Sequence, residues 1–295
     1  MRPELVEASD LLRQQTPESI EAAIGLLQGT VFSFSMKMCG HREDAEDTAQ
    51  DVLFSSLKHL QKLDNPSALA AWLYTVARNR CRRKRGKMNV SDSHHVSLDE
   101  LMPDRAELQF LMHAAGKNPE HVAMTAEEQS LLQQAVLRLP TSLRLVLVLH
   151  DMEELNAGEV ARILDLKEGT VRVRLHRARL AVRQDLTNTV RGIPAKNVWS
   201  RDGGIRRSKD CHEIFANLSE YIDERVQPGD CEQMRQHIDR CPPCMAFLAD
   251  LKAAIDRCRS LSVPCDPAVT ERMRAMMTKE YLRLAGIDDP RKLRQ

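Results

Sequence analysis

Thr170-Val-Arg-Val-Arg-Leu-His-Arg-Ala-Arg-Leu-Ala-Val-Arg183 is the stretch from which the rest of the chain can be read. Written on a helix, Val171, Leu175, Ala178 and Val182 recur at helical spacing and make one apolar stripe. Arg172, His176, Arg179 and Arg183 make a second stripe at the same spacing, flanked by Arg174 and Arg177. A helix that buries one side and shows arginines on another suits the major groove of DNA. Guanidinium groups neutralise phosphates and pair bidentately with guanine.

The residues just before it sharpen this reading. Ala157-Gly-Glu-Val-Ala-Arg-Ile-Leu-Asp165 predicts a short amphipathic helix with Val160, Ile163 and Leu164 on one face. Leu166-Lys-Glu-Gly169 then supplies a turn, and the Thr170 hydroxyl is placed to cap the next helix. Helix, short turn and capped basic helix form the helix-turn-helix pattern.

The chain has 295 residues, room for two or three small domains. Its net charge of +1 averages opposed blocks, the acidic Glu43-Asp-Ala-Glu-Asp47 and the basic Arg80-Cys-Arg-Arg-Lys-Arg-Gly-Lys87. Such asymmetry points to nucleic acid at one face and protein at another. Aromatic residues make up 4% of the chain and no strand-like alternation stands out, so an all-α fold is expected. The start lacks an apolar signal core and no apolar run is long enough for a bilayer, which predicts a cytoplasmic protein with no membrane contact. In that compartment the 8 cysteines read as ligands or redox thiols rather than structural disulfides.

Residues 4 to about 64 read as helices separated by Gly29 and by Gly40-His41. The segment Asp44–Leu57 turns Ala45, Ala49, Val52 and Leu53 inward, with Phe54 and Leu57 continuing that stripe. Asp44, Asp47, Gln50 and Asp51 share its polar face. A helix starting at Asn65-Pro66-Ser67 opens apolar and ends basic, carrying Trp72, Tyr74, Arg78, Asn79, Arg82, Arg83 and Arg85. Rings with cations suit single-stranded DNA, where bases stack and phosphates are held. Residues 88–124 read as a linker with a short helical turn around Glu107–Met112, and His94-His95 as ordinary linker residues. Helices are predicted over Glu127–Leu139 and Ser142–Asp151, broken at Pro140-Thr141. The DNA-reading pair follows and ends near Asn188, before a second linker.

His237-Ile-Asp-Arg-Cys241-Pro-Pro-Cys244 is H-x3-C-x2-C. Cys211, on a predicted amphipathic helix with Phe215, Leu218 and Ile222, supplies a fourth ligand; His212 and Cys231 are rivals for that place. Three thiolates and one imidazole suit tetrahedral Zn²⁺. No coordination position is left open, so the site is structural or redox-sensing rather than catalytic. Cys258 and Cys265 are either spare thiols for disulfide exchange or inert.

These residues resemble a known family. From about residue 20 to 188 the chain is similar to the extracytoplasmic-function (ECF) sigma factors, relatives of sigma-70. Asp44-Ala-Glu-Asp-Thr-Ala-Gln-Asp-Val-Leu-Phe54 resembles region 2.2, which implies that Asp44, Asp47, Gln50 and Asp51 meet the β′ clamp helices of core RNA polymerase. Ala71-Trp-Leu-Tyr-Thr-Val-Ala-Arg-Asn79 resembles the segment that opens and reads the −10 element, with the base-receiving loop near Arg85–Asn89. Leu139-Pro140 through Arg179 resembles region 4, the −35 reader and partner of the β flap. That likeness assigns Thr170, Arg172, Val173, Arg174, His176, Arg177 and Arg179 to promoter DNA. Many relatives carry an aromatic residue where Ala157 stands and a small polar one where Val173 stands, so base preference does not transfer.

Residues 211–258 resemble the zinc-binding fold of anti-sigma factors, here fused to its own sigma factor, which implies regulation in cis through contact with the sigma domains. The expected layout is a region 2-like domain over 1–87, a linker over 88–124 and a region 4-like domain over 125–189. A linker over 190–209, a zinc-binding domain over 210–262 and a helical tail over 263–295 complete it. No residue set performs covalent chemistry, so the chain is not expected to be an enzyme. Two rivals remain: a two-domain regulator that recruits another holoenzyme, and a zinc-based redox sensor read out through transcription.

Overall fold

The computed structural model describes residues 1–60, 62–63, 65–85, 97–114, 124–193, 209–261, 263 and 267–287. Among the described residues the regular elements are all helices. They are α1 (Pro3–Gln14), α2 (Pro17–Cys39), α3 (Arg42–Leu60), α4 (Pro66–Arg85), α5 (Leu98–Leu101), α6 (Arg105–Ala114) and α7 (Ala126–Arg138). Then come α8 (Thr141–Leu147), a π-helical turn (Val148–Met152), α9 (Ala157–Leu164), α10 (Glu168–Val190), α11 (Lys209–Ile222), α12 (Pro228–Arg240), α13 (Pro242–Ser260) and α14 (Pro267–Ala285).

Local chemistry sets many of these boundaries. Reciprocal capping boxes start α2 (Thr16 with Ser19), α7 (Thr125 with Glu128) and α9 (Asn156 with Glu159). Proline opens α1, α2, α12 and α13, where its missing N–H has no helical partner to lose. Gly40 ends α2 in the left-handed region at φ 78° and donates its N–H to Met36 O. Gly29, expected to separate two helices, instead lies inside α2.

The described residues within 1–90, 148–168 and 262–295 make one compact unit. Here α2 packs against α1, α3 and α4, and α9 lies on α4. Leu5, Ile20, Ile24, Leu27, Val31, Val52 and Leu73 fill the core, with the Phe34 and Tyr74 rings 5.1 Å apart. The tail helix α14 lies on α2 and α3, burying Met273, Met277, Tyr281 and Leu282. At its heart sits a charged node. Fully buried Glu153 accepts hydrogen bonds from Lys37 Nζ and the Tyr74 hydroxyl, both at 2.8 Å, and Arg2 Nε lies 3.1 Å away. Burial lowers the Lys37 pKa, against the pull of Glu153, and raises that of Tyr74 well above its ordinary value, with Glu153 adding to the rise.

The described residues within 91–147 and 169–261 make a second unit. From Leu175 to Asn188, α10 is buried apart from half-buried Arg177 and Leu186. Helices α11 and α12 pack on α13, and so does α6. Arg144 closes the end of α7, donating from Nε to Val136 O (3.0 Å) and from Nη2 to Leu139 O (2.7 Å). The segment expected to be a linker with one helical turn thus contains α5, started by a Ser97–Glu100 capping box, and the ten-residue α6.

Candidate promoter, polymerase and metal sites

The acidic face of α3 forms as the sequence predicts. Asp47, Gln50 and Asp51 are exposed and Asp44 is half-buried, while Ala45, Ala49, Val52, Leu53 and Leu57 point inward. Phe54 departs from that stripe and is 39% exposed on the helix surface. Asp51 accepts a 3.1 Å hydrogen bond from Arg80 of α4, so the acidic and basic helices meet at that point.

Helix α4 divides its expected DNA-facing residues. Trp72 is half-buried, its indole N–H donating to Ser56 Oγ at 3.1 Å and its ring centre 4.2 Å from that of His59. Tyr74 is a core residue in this arrangement, tied to Glu153. Arg78 donates from Nη1 to Ile163 O in α9 at 2.6 Å and from Nη2 to the Asn79 side-chain oxygen at 3.0 Å. Ser67 at the start of α4 reaches Glu159 of α9 at 3.0 Å. The helix extends to Arg85, but the side chains of Arg82, Arg83 and Arg85 and the loop through Asn89 lie outside the described ones. The same holds for His94 and His95.

The basic helix α10 begins two residues before Thr170, which therefore sits in its first turn rather than at its cap. The turn that precedes it is made by Asp165, not by glycine. Asp165 takes φ 55° and closes α9 with its N–H on Ala161 O. At the N-terminal end of α10, Val173 is 53% exposed, and Thr170, Arg172, Arg174 and Arg177 are half-buried. His176, Arg179 and Arg183 are buried beneath α6, α11 and α13. Both Nη atoms of Arg179 lie 2.9 Å from the Asp223 carboxylate, just past α11. Arg183 pairs with Asp250 at 3.0 Å and Glu107 at 2.6 Å, with its guanidinium carbon 4.4 Å from the Phe247 ring centre. His176 Nδ1 shares a 2.8 Å hydrogen bond with Ser219 Oγ, and its Nε2 is buried without a hydrogen-bond partner. Burial, then the charges of Arg179 and Arg177, push its pKa down to about 4.

Ser219, Asp223, Asp250 and Glu107 were invisible as partners in the sequence. They lie 43, 44 and 67 positions from His176, Arg179 and Arg183 in the first three cases, and no local pattern links them.

The metal-ligand set comes together on three helices. Cys211 stands in the first turn of α11, His237 in the last turn of α12, Cys241 at the start of α13 and Cys244 one turn further. Their ligand atoms all lie within 4.8 Å of one another. His237 Nε2 is 3.6 Å from Cys211 Sγ and 3.4 Å from Cys244 Sγ. Tetrahedral Zn²⁺ with Zn–S near ~2.3 Å and Zn–N near ~2.0 Å needs donor atoms spaced about this far apart. Burial pushes the Cys244 thiol pKa up, and neighbouring Cys241 and Cys211 push it further, so a dication at the centre is what would hold all three as thiolates. Pro242 and Pro243 start α13 between the last two thiols. Cys231 is not in this cluster, the His212 side chain and Cys265 lie outside the described residues, and Cys258 is buried in α13.

Comparison with known proteins follows the same partition. Residues 24–88 match sigma-70 region 2, residues 129–182 match sigma-70 region 4, and residues 211–245 match a zinc-finger family. The ECF RNA polymerase sigma factor SigW of Bacillus subtilis (strain 168) is 27% identical over 167 residues, 55% of this chain and 86% of that protein. RNA polymerase sigma factor YlaC of the same organism is 27% identical over 180 residues, 58% of this chain and 94% of its own length. The RNA polymerase sigma-H factor of Pseudomonas aeruginosa is 26% identical over 172 residues, 56% and 84% of the two chains. Regions 2 and 4 in sigma-70 order, carried ahead of a zinc-finger module, place this chain in the family of ECF sigma factors, which are initiation factors and not enzymes.

Proposed function

We propose that this sigma factor binds core RNA polymerase and directs it to −10 and −35 promoter elements, and that its zinc-binding C-terminal module holds it closed in cis. The acidic face of α3 (Asp44, Asp47, Gln50, Asp51) docks on the β′ clamp helices, and the region 4 segment meets the β flap. Trp72, Arg78 and Asn79, with the basic end of α4, take the melted −10 strand. Thr170, Arg172, Val173, Arg174, His176, Arg177 and Arg179 face the −35 major groove once the helix is free. Polymerase and DNA place this work in the cytoplasm. No described helix is long and apolar enough to cross a membrane.

The observation that carries the regulatory part is the burial of His176, Arg179 and Arg183 against Ser219, Asp223, Asp250 and Glu107. A guanidinium buried against a carboxylate cannot reach guanine or phosphate at the same time. The module therefore competes with the promoter for the same side chains, and its sign is inhibitory. Cys211, His237, Cys241 and Cys244 would hold Zn²⁺ as a structural ion, fixing α11 and α13 and with them Asp223 and Asp250. Three of these ligands are thiols, so an oxidant strong enough to eject the ion opens the clamp.

The reading is tested by transcribing fragmented host genomic DNA with sigma-free core polymerase plus the full chain, mapping RNA 5′ ends. The expected result is discrete starts sharing upstream −35 and −10 sequences, stronger after zinc chelation. Starts that need a second sigma factor would instead make the chain a recruiting regulator.

A further inference from the structure

We infer that Cys39 and Cys81 form a reversible dithiol–disulfide site inside the region 2 unit, distinct from the zinc thiols. Their Sγ atoms lie 3.3 Å apart, although the residues are 42 positions apart in sequence. Cys39 is the last residue of α2, fixed by the left-handed Gly40 that follows, and Cys81 lies near the basic end of α4. Both helices are anchored elsewhere, through the Phe34–Tyr74 ring contact and the Glu153 node, so the two sulfurs meet because the fold brings them there. A disulfide needs an S–S distance near ~2.05 Å, so the sulfurs must close by about 1.3 Å, within reach of small side-chain rotations. Neither cysteine belongs to the metal cluster.

The chemistry balances with a peroxide as oxidant. The sulfur of Cys39, 7% exposed against 3% for Cys81, attacks the peroxide O–O bond and becomes a sulfenic acid as water or an alcohol leaves. The Cys81 sulfur then attacks that sulfur, the S–S bond forms and the hydroxyl departs as water. Two thiols and one hydrogen peroxide thus give one disulfide and two waters. A dithiol reductant reverses it by exchange, becoming a disulfide itself. The bond ties the last turns of α4 to the end of α2. Resting on the sigma-factor reading, this restrains the helix that takes the −10 strand and reduces promoter opening.

The test uses the full-length, zinc-loaded, reduced protein, treated with a few equivalents of hydrogen peroxide. Free thiols are blocked with N-ethylmaleimide, and the digest is mapped by mass spectrometry without reduction. A Cys39–Cys81 linked peptide in high yield is expected, removed by dithiothreitol and absent in Cys81→Ser. A melting midpoint several degrees higher after oxidation is expected for the wild type and not for Cys81→Ser or Cys81→Ala. Cys39 and Cys81 recovered unlinked, or linked only after denaturation, would overturn the site whether or not the chain is a sigma factor. Zinc release is followed in parallel with a chromogenic chelator, which separates this event from oxidation of the metal thiols. Permanganate footprinting of the −10 strand reads the consequence. Oxidised wild type should open less DNA than reduced, and equal opening by a fully linked sample would overturn the restraint on α4.

Discussion

Arg179 is buried with its charge against the Asp223 carboxylate, at 2.9 Å from each Nη. A buried pair adds little over a well-packed apolar one, but removing one partner strands the other and costs about 3–5 kcal/mol. Asp223→Ala should therefore expel Arg179 from its site and loosen α11 from α10. Faster amide hydrogen exchange along 175–188 in the folded variant is the expected readout, and unchanged protection would contradict it. His176 adds a pH dependence. With its pKa at about 4 when docked and 6.5 when free, the docked state binds fewer protons below pH 6.5. Docking is therefore fully present above 6.5 and weakens as pH falls toward 4, by at most about 3 kcal/mol. Arg177, Arg179 and the nearby Asp223 carry the surrounding charge. Urea midpoints of unit-specific exchange between pH 7 and 4.5 should fall more in wild type than in His176→Gln.

At the scale of elements, α9 is held to α4 through Ser67–Glu159 and Arg78–Ile163, while Glu153, just ahead of α9, ties α2 to α4. Glu153→Gln keeps the shape but leaves buried Lys37 without a counter-charge. It should destabilise the unit by about 3–5 kcal/mol in denaturant unfolding, far beyond an exposed control such as Glu43→Gln. Metal removal belongs to this scale too. Chelation should lower helical circular dichroism as α11–α13 loosen, and zinc should restore it. Element by element, the sequence made helix type and the acidic and thiol spacings legible, because these depend on local period and ligand chemistry. It could not show that the rear of α10 is interior, since periodicity tells which side chains share a face and not what covers it. Asp165 rather than Gly169 makes the turn before α10 because an aspartate tolerates the left-handed backbone, and Gly169 lies in the helix's first turn. Residues 97–114 read as a linker because α6 owes its place to α13, a packing partner far along the chain.

At the scale of the molecule, each compact unit holds internally some of the side chains that the sequence reading turns toward promoter DNA. In one, Arg78 and Tyr74 are held by α9 and Glu153; in the other, His176, Arg179 and Arg183 are held by the zinc module. On the proposed function such a chain is poised rather than active, and opening it would exchange internal carboxylates for the phosphates and bases of a promoter. Family resemblance made the sigma architecture legible from two motifs in order, whereas the proposed inhibitory sign rests on which side chains the module covers. The measurement that tests this most directly is single-round transcription by sigma-free core polymerase from a mapped promoter. Full-length wild type and the full-length Asp223→Ala/Asp250→Ala variant are compared, both zinc-loaded and checked for folding. The account predicts markedly more transcript from the variant, with the gain lost when the −35 element is scrambled. Equal or lower output from a folded variant that still binds core would contradict it.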